Sequence, residues 1–387
     1  MYDDLSVSHL VPVSNTNRNE SETAKRKAAE ACWARTNSND NESESFPSSS
    51  TFTFRPRRVV FYPKALDYPL GKKLYERFRR EGIRIEMTDS RNRVRTIAGN
   101  PRQVFLEAKR TLVVGVRNDL RFATCKPSAD YQLPLTSSCP GQCEYCYLHT
   151  TLGARPYVRI YVNLEEILAQ ADQLIAQKAP AITTFEGAAT SDPIPTEKYS
   201  QALQHTIEHF ARQELGRFRF VTKFTEVENL LDLDHRGHTT WRFSLNTERI
   251  IKQYEIGTPR LADRLQAAKR VAAAGYPLGF LIAPIFLYPE WQVEYADLLH
   301  QIAHSLPGVA PTFELITHRF TPRAKKQILE LWPATTLPLD EEQRQYKYGQ
   351  FGYGKYIYPK EKMPDVRSFF EDKIQALFGA NLVSYFV

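Results

Sequence analysis

Three cysteines in one short segment are the residues best suited to chemistry. In SSCPGQCEYCYL, Cys139, Cys143 and Cys146 have the spacing C-x3-C-x2-C. Three thiolates from one loop can bind three irons of a cubane, so that the fourth iron has no protein ligand and its reactivity depends on what binds there. Pro140 and Gly141 favour a tight turn that directs the sulfurs to one side. The spacing therefore predicts an iron–sulfur cluster with one open iron.

Two other interpretations of these cysteines stay open. Structural zinc needs a fourth ligand, and Cys125, 14 residues before Cys139, would supply it. Three unligated thiols in a protein core are the second alternative. The remaining cysteine, Cys32, lies beside Trp33 in a polar segment, where we expect an unligated thiol.

Composition and length restrict the class of protein. The chain has 387 residues, 42% of them hydrophobic and 25% charged, enough for two or three domains with a sizeable core. Four of the five cysteines lie within residues 125–146, which indicates metal or redox chemistry in a reducing compartment rather than a secreted disulfide framework. No stretch approaches about 18 apolar residues, and the first residues lack the pattern of a secretory signal. We therefore expect a cytoplasmic protein that does not span a membrane.

Charge is distributed unevenly along the chain. Residues 1–50 contain 5 basic and 8 acidic residues, whereas residues 51–118 contain 17 basic and 6 acidic ones, a surplus of 11. A compact segment with this excess attracts polyanions. The alternative, a solvated basic face without a partner, stays open on charge alone.

The elements that position the cysteines begin after a polar arm. Residues 1–53 are rich in Ser, Asn, Thr and Glu, which predicts disorder because little apolar surface offsets the entropy of ordering. Residues 54–120 alternate strand and helix patterns and predict a small basic β/α domain. Its segments are RRVVFYP (57–63), LGKKLYERFRREG (70–82), IRIEM (83–87), RQVFLEAKR (102–110) and TLVVGV (111–116).

A longer alternation fills residues 121–330. Six strand patterns are separated by helical patterns of 12 to 19 residues, which predicts a parallel sheet in open or barrel form. The strands are YQLPL (131–135), AITTFEG (181–187), FRFVTKF (218–224), WRFSLN (241–246), LGFLIAPI (278–285) and FELITH (313–318). The helices are predicted at 164–178, 197–215, 259–275 and 291–306. Residues 331–387 differ, since QYKYGQFGYGKYIYPK (345–360) predicts a hairpin.

The cysteine spacing, with an aromatic residue after the last cysteine, resembles the radical S-adenosylmethionine superfamily. More narrowly, nearly everything after about residue 57 resembles the spore photoproduct lyase family. The similar segments are KPSADYQLPL (126–135), CEYCYLHTTLGARPYVRIYVN (143–163), TSD (190–192), RFRFVTKF (217–224), RFSLN (242–246), GFLIAPI (279–285), FELITHRF (313–320) and GKYIY (354–358).

This resemblance implies an α/β fold: a partial (β/α)6 TIM-like barrel of the radical S-adenosylmethionine type at 121–330, a small N-terminal β/α domain and a C-terminal β-hairpin with a helix at 331–387. It also implies two cofactors, a [4Fe–4S] cluster on the three cysteines and S-adenosylmethionine on the open iron, where one electron cleaves it to a 5′-deoxyadenosyl radical. The residues implied to contact or approach S-adenosylmethionine are Ser191, Asp192, Lys223, Ser244 and Ala283.

The implied substrate is the spore photoproduct, a methylene-bridged thymine dimer in UV-damaged DNA, which a lyase of this family returns to two thymines. The resemblance places Tyr145 and Tyr147 in a hydrogen relay. The family's usual donor cysteine precedes TSD, but this chain has Ala189 there. We expect Cys125 to replace it, because Cys125 is the remaining cysteine outside the polar arm and the cluster motif.

The C-terminal hairpin is implied to enter the DNA duplex. The residues expected at the DNA are Lys347, Gln350, Phe351 and Lys355. Phe351 supplies an apolar wedge, and Lys347 and Lys355 supply charge. An electron donor such as flavodoxin or ferredoxin is implied as a further partner. Two functional alternatives stay open: a radical enzyme acting on another nucleic-acid lesion or modification, and a zinc-stabilised nucleic-acid-binding protein without catalysis.

Overall fold

Two mainly parallel β-sheets form the framework of the protein. The computed structural model describes residues 53–88, 94, 98–348 and 354–387. In these residues the strands are β1 (Arg58–Phe61), β2 (Arg84–Met87), β3 (Thr111–Gly115), β4 (Thr124–Cys125), β5 (Ala129–Gln132), β6 (Thr136–Ser137), β7 (Gln142–Cys143), β8 (Val158–Tyr161), β9 (Thr183–Glu186), β10 (Gly216–Thr222), β11 (Thr239–Leu245), β12 (Glu255–Ile256), β13 (Leu278–Ile285), β14 (Thr312–Thr317), β15 (Gln345–Tyr348), β16 (Gly354–Ile357) and β17 (Val383–Phe386).

Helices connect most of these strands. The α-helices are α1 (Pro69–Arg80), α2 (Pro101–Lys109), α3 (Leu148–Thr151), α4 (Leu164–Lys178), α5 (Ile194–Ser200), α6 (Ala202–Ala211), α7 (Glu248–Tyr254), α8 (Leu261–Ala273), α9 (Trp291–Ser305), α10 (Pro322–Leu331) and α11 (Met363–Phe378). Short 3-10 helices span Pro63–Asp67, Glu228–Leu230 and Lys360–Lys362. The predicted polar arm lies outside the described residues, apart from Thr53.

The first sheet has the order β2-β1-β3-β8-β6, with β6 antiparallel to β8 and the other neighbours parallel. Its central strands are buried on both faces: Val59 and Phe61 belong to one apolar cluster, and Val60 belongs to another. The three strands and two helices predicted between residues 54 and 120 are confirmed. β8 was not predicted, and it extends this sheet although it follows the cysteine motif in the chain.

The second sheet has the order β17-β14-β13-β11-β10-β9-β5-β4 and is parallel from β17 to β5. It contains all six strands predicted between residues 121 and 330, which are therefore confirmed. β17, close to the C-terminus, adds a further parallel strand at one edge, and β4 adds an antiparallel one at the other. The domain boundaries themselves stay a prediction.

Side chains alternate between the two faces of this second sheet. In β10, Phe218 and Phe220 belong to the main apolar core together with Phe210 of α6. Arg219, between them, makes its contacts on the opposite face, where it donates a hydrogen bond to Glu314 of β14. Because successive strand residues point to opposite sides, one face packs under the helices and the other is free to carry polar groups.

One predicted helix is broken in two. The pattern at 197–215 predicts a single helix, whereas the structure has α5 and α6 on either side of Gln201, whose φ of 53° is left-handed. The carboxylate of Glu197 accepts hydrogen bonds from the backbone N–H groups of Leu203 (2.8 Å) and Gln204 (3.0 Å). The buried carboxylate thus satisfies N–H groups at the start of α6 that the break leaves without helical partners.

The C-terminal segment contains the predicted hairpin. β15 and β16 are antiparallel, and α11 follows them before the chain enters the second sheet as β17. Across the described ranges, we find no helix with the length and apolar character required to span a bilayer.

Candidate active site

The loop that carries the three cysteines is attached to other parts of the fold at two points. Before Cys139, the N–H of Ser138 donates a hydrogen bond to the carbonyl of Thr190 (2.8 Å), which joins this loop to the one after β9. Farther along, Cys143 pairs with Glu255 where β7 meets β12. The N–H of Cys146 then donates to the carbonyl of Cys143 (3.1 Å). Two tertiary attachments therefore position a segment of only eight residues.

The three thiols are close enough to affect one another. Burial raises the pKa of Cys139 to about 12, against the opposing effect of Lys109, and Cys146 adds to the increase. Burial also raises the pKa of Cys143, and Glu255 raises it further. Thiolates at these positions therefore need a bound cation to be stable. The donor set fits a cubane, which provides that cation and takes one thiolate on each of three irons.

A mononuclear metal site is not found. In residues 53–88, 94, 98–348 and 354–387, no group of three or more His, Cys, Asp or Glu side chains could hold a single metal ion. Thiolates that bind three separate irons do not have to converge on one point. Cys125, the proposed fourth zinc ligand, lies on β4, where the charged groups acting on it are Glu186, Arg242 and Arg219.

Lys223 lies at the centre of a polar cage. It follows β10, and its ammonium donates hydrogen bonds to Glu255 (2.9 Å), Ser244 (3.0 Å) and the phenol of Tyr145 (3.2 Å). Tyr145 in turn donates to the same carboxylate oxygen of Glu255. The structure thus brings together Lys223 and Ser244, both predicted at S-adenosylmethionine, and adds Tyr145, predicted in the relay, and Glu255.

Glu255 and Arg264 are site residues that the sequence analysis missed. Burial alone would raise the pKa of Glu255, but Arg264 and Lys223 outweigh it and bring this pKa to about 2. Arg264 donates to Glu255 (2.6 Å) and to the carbonyl of Ser244 (3.0 Å), and it is fully buried. A signal was present, because Arg264 lies within the apolar stripe of α8, next to Leu261 and Leu265.

The loop after β9 holds Ser191 and Asp192. The hydroxyl of Ser191 is buried and has no hydrogen-bond partner among the described residues, so it can bind a ligand. Asp192 accepts hydrogen bonds from the Thr222 hydroxyl and the Lys223 N–H, both 2.8 Å long. Burial raises the pKa of Asp192 to about 6. Asp192 thus joins the β9 loop to the end of β10.

Ala283 extends the same face of the sheet. Ser244 of β11 pairs with Leu281 of β13, and Ala283 follows two residues later, half-buried. Its methyl group leaves space beside the polar cage. Ser191, Lys223 and Ser244 are therefore the described residues best placed to hold a small polar ligand such as an amino acid or a ribose.

Tyr147, one of the predicted relay residues, bonds to the loop after β9. The residue is 57% exposed, but its phenol donates a hydrogen bond to the backbone carbonyl of Ala189. Burial of the hydroxyl raises the pKa of Tyr147, and the charges of Cys146, Glu186 and Cys125 raise it further. The hydrogen bond to Ala189 joins Tyr147, which follows the last cysteine of the motif, to the loop after β9.

Comparison with known proteins decides the family. A model of the family described as spore photoproduct lyase matches residues 54–387, most of the chain. The chain belongs to the spore photoproduct lyase family. The spore photoproduct lyases of Clostridium acetobutylicum and Bacillus subtilis are 48% identical to it over 332 residues and 47% over 337 residues, and each match covers 86% of this chain and 98% of the relative.

Solved structures of spore photoproduct lyases show the same fold. One complexed with dinucleoside spore photoproduct superposes with a TM-score of 0.84 at 47% identity, covering 86% of this chain and 99% of that one. A mutant with bound AdoMet and dinucleoside spore photoproduct gives the same values. The predicted fold is confirmed: the eight-stranded sheet is the partial TIM barrel of the radical S-adenosylmethionine type. Both predicted cofactors are confirmed as those of the family.

A layer of buried ion pairs lies on the polar face of the second sheet. Arg242 donates hydrogen bonds to Glu186 and to Glu314 (2.7 Å), and Arg219 donates to Glu314. Sequence analysis missed this layer, although charged residues at alternate positions of otherwise apolar strands were a visible signal. Burial and the neighbouring Glu186 raise the pKa of Cys125 to about 11, against Arg242 and Arg219. Cys125 is therefore protonated at neutral pH.

The family's C-terminal hairpin is described only in part. Lys347 and Lys355 are directly opposite each other in the β15–β16 pair. Partial burial lowers the pKa of Lys355, and Arg319 and Lys347 lower it further. Gln350 and Phe351 lie outside the described residues. Like charges in opposite positions destabilise a strand pair unless an anion binds them.

Proposed function

We propose that this protein is a carbon–carbon lyase that returns the spore photoproduct in UV-damaged DNA to two thymines. The observation that carries the proposal is the polar cage beside the cysteine loop, in which the Lys223 ammonium donates to Ser244, together with the buried Ser191 hydroxyl, which has no partner among the described residues. Relatives at 47% identity bind AdoMet and dinucleoside spore photoproduct in the same fold.

The chain's residues bind and orient the two cofactors. Cys139, Cys143 and Cys146 would hold the cluster, and the Lys223 ammonium would bind the carboxylate of S-adenosylmethionine. When bound, the cofactors supply a 5′-deoxyadenosyl radical, which removes a hydrogen from one thymine so that the bridge breaks and a carbon radical remains. Arg264 would stay bound to Glu255, so that the Lys223 ammonium could give up one of its three hydrogen bonds and donate to the ligand instead.

Cys125 would complete the repair. Its S–H bond breaks, the hydrogen atom forms a C–H bond on the thymine radical, and a thiyl radical remains. The phenol of Tyr147 would then return a hydrogen atom to the sulfur and become a phenoxyl radical. Tyr145 would pass a hydrogen atom from 5′-deoxyadenosine to this radical, so that Tyr147 is a phenol again and the unpaired electron returns to the cofactor. The turn after Cys125 is held in place through Ser128, whose hydroxyl donates to Glu186 and whose carbonyl accepts from Arg219. This fixed position favours the assignment.

DNA would be held by the hairpin and by the basic surplus of residues 51–118. Lys347 and Lys355 would bind backbone phosphates, and Gln350 and Phe351, which come between β15 and β16 in the sequence, would contact the displaced bases. We further propose that a flavodoxin or ferredoxin in the cytoplasm supplies the electron.

A direct assay tests the proposal. Full-length protein is reconstituted with iron and sulfide without oxygen, reduced with dithionite, and incubated with S-adenosylmethionine and dinucleoside spore photoproduct. We expect thymidine products by mass spectrometry, and none in a matched sample without S-adenosylmethionine. Cleavage of S-adenosylmethionine without any recovery of thymine would contradict the assignment and indicate another substrate.

A further inference from the structure

Lys109 is a buried lysine in contact with the cysteine loop. It is the last residue of α2 and only 1% exposed. Its ammonium donates a hydrogen bond to the carbonyl of Cys139 (2.9 Å) and lies 5.4 Å from the centre of the Phe105 ring. No carboxylate in the described residues forms an ion pair with it. A buried ammonium without a counter-charge is strongly unfavourable, so a compensating negative charge is needed.

The nearby carboxylates are committed to other groups. Asp192 and Glu255 act on the thiols of Cys139 and Cys143. However, Asp192 is bound by Thr222 and the Lys223 N–H, and Glu255 is bound by Arg264 and the Lys223 ammonium. Neither contacts Lys109. The charge that remains to compensate this lysine is that of the cysteine thiolates.

A second buried side chain supports the same loop. His149 of α3 is only 1% exposed. Its Nε2–H donates to the carbonyl of Cys143 (2.7 Å), and its ring packs edge-on against Phe105. Two buried side chains thus hold the loop by its backbone carbonyls, and Lys109 is the one that brings an ammonium to it.

We propose that Lys109 is the fixed counter-charge of the cluster and makes its one-electron reduction easier. Three thiolates give the cluster a net negative charge, and the added electron increases it. Net charge and hydrogen bonding around the ligands are main determinants of cluster potential. The proposal rests on the cluster of the proposed function but concerns neither the lesion nor the hydrogen donor. Lys109 acts as a positioning residue, because it touches Cys139 rather than substrate.

The test compares full-length reconstituted Lys109→Met and Lys109→Arg with wild type. Lys72→Met, an exposed lysine on α1, is the matched control. The midpoint is measured by EPR during a redox titration with dithionite and no substrate. We expect at least a tenfold lower reduction equilibrium constant in Lys109→Met, which is about 59 mV more negative. Lys109→Arg and Lys72→Met should remain near wild type. An unchanged midpoint in iron-loaded Lys109→Met overturns the proposal.

The cluster-free proteins provide a second readout if Lys109→Met takes up little iron. Without the cluster the ammonium has no counter-charge, so Lys109→Met should unfold at a higher denaturant concentration than wild type, and reconstitution should reverse this order. If Lys109→Met and Lys109→Arg are both less stable than wild type, with and without the cluster, Lys109 only fills space and the proposal is overturned. A normal midpoint in a protein that repairs nothing would contradict the proposed function alone.

Discussion

The phenol of Tyr147 donates a hydrogen bond to the backbone carbonyl of Ala189. This contact joins the residue after the last cluster cysteine to the position at which the family resemblance expects the donor thiol. Ala189 offers only a methyl group, whereas Cys125 on β4 carries a thiol with its pKa raised to about 11. In the proposed relay, the thiol would therefore come from Cys125 rather than from position 189.

Replacement of Cys125 by alanine should separate cofactor cleavage from repair. In Cys125→Ala, S-adenosylmethionine is still cleaved, but recovery of intact thymine should fall at least tenfold, because no S–H bond near Tyr147 can return a hydrogen atom. Liquid chromatography with mass spectrometry measures both products. Cys32→Ala, in the polar arm, is the control and should behave as wild type.

A thiol placed at position 189 should rescue this variant. In Cys125→Ala combined with Ala189→Cys, the new thiol belongs to the residue whose carbonyl accepts from Tyr147, so we expect at least partial recovery of thymine. If Cys125→Ala alone repairs the lesion as cleanly as wild type, Cys125 is not the donor.

Lys223→Met should weaken binding of S-adenosylmethionine. The variant loses a charge-assisted hydrogen bond of about 1.5–3 kcal/mol, which corresponds to roughly 10- to 100-fold in affinity. Equilibrium dialysis on reconstituted protein measures this. Iron content should persist because Arg264 still neutralises Glu255. Ser244→Ala, which removes a neutral group, should reduce the affinity less. If Lys223→Met and wild type bind S-adenosylmethionine equally well, Lys223 does not belong to the binding site.

Glu197 should make stability depend on pH. Burial raises its pKa from about 4.5 to about 7, against the two N–H groups that it accepts from. The folded state therefore holds the proton more tightly than the unfolded state, and stability falls as pH rises from about 4.5 to above 7, by roughly 3 kcal/mol.

Denaturant unfolding at pH 5, 6.5 and 8 checks this prediction. Glu197→Gln keeps an acceptor for the N–H groups of α6 but does not titrate, so its advantage over wild type should grow with pH. Parallel pH profiles for the two proteins would show that Glu197 is not protonated in the folded state near neutrality.

Lys347→Ala and Lys355→Ala should each weaken DNA binding and reduce its salt dependence. Loss of one phosphate contact lowers the slope of log K against log salt by about 0.9 for duplex DNA. Fluorescence anisotropy with a labelled duplex between 50 and 200 mM salt (about the range where such slopes are measured) provides the values. Lys72→Ala serves as the exposed control; the same slope in all four proteins would exclude the hairpin from phosphate binding.

Local pattern was enough to predict most elements of this chain. The apolar periodicity of 164–178 gave a helix whose bounds match α4, and the six strands of the second sheet lie where their patterns predict. Helices and strands depend mainly on residues close in sequence, so their positions can be read locally. The cysteine motif is also a local signal, because the spacing of three cysteines within one loop restricts the chemistry that they can support.

Contacts between distant residues were decided by the tertiary structure. Lys223 and Glu255 lie 32 residues apart, and Arg219 and Glu314 lie 95 apart. Which charges meet depends on strand order and register, and these follow from packing the whole chain. The sequence thus determined the chemistry available to the cysteine loop, whereas only the fold placed the Lys109 ammonium on the Cys139 carbonyl, Lys223 on Tyr145 and the Tyr147 phenol on the carbonyl of Ala189.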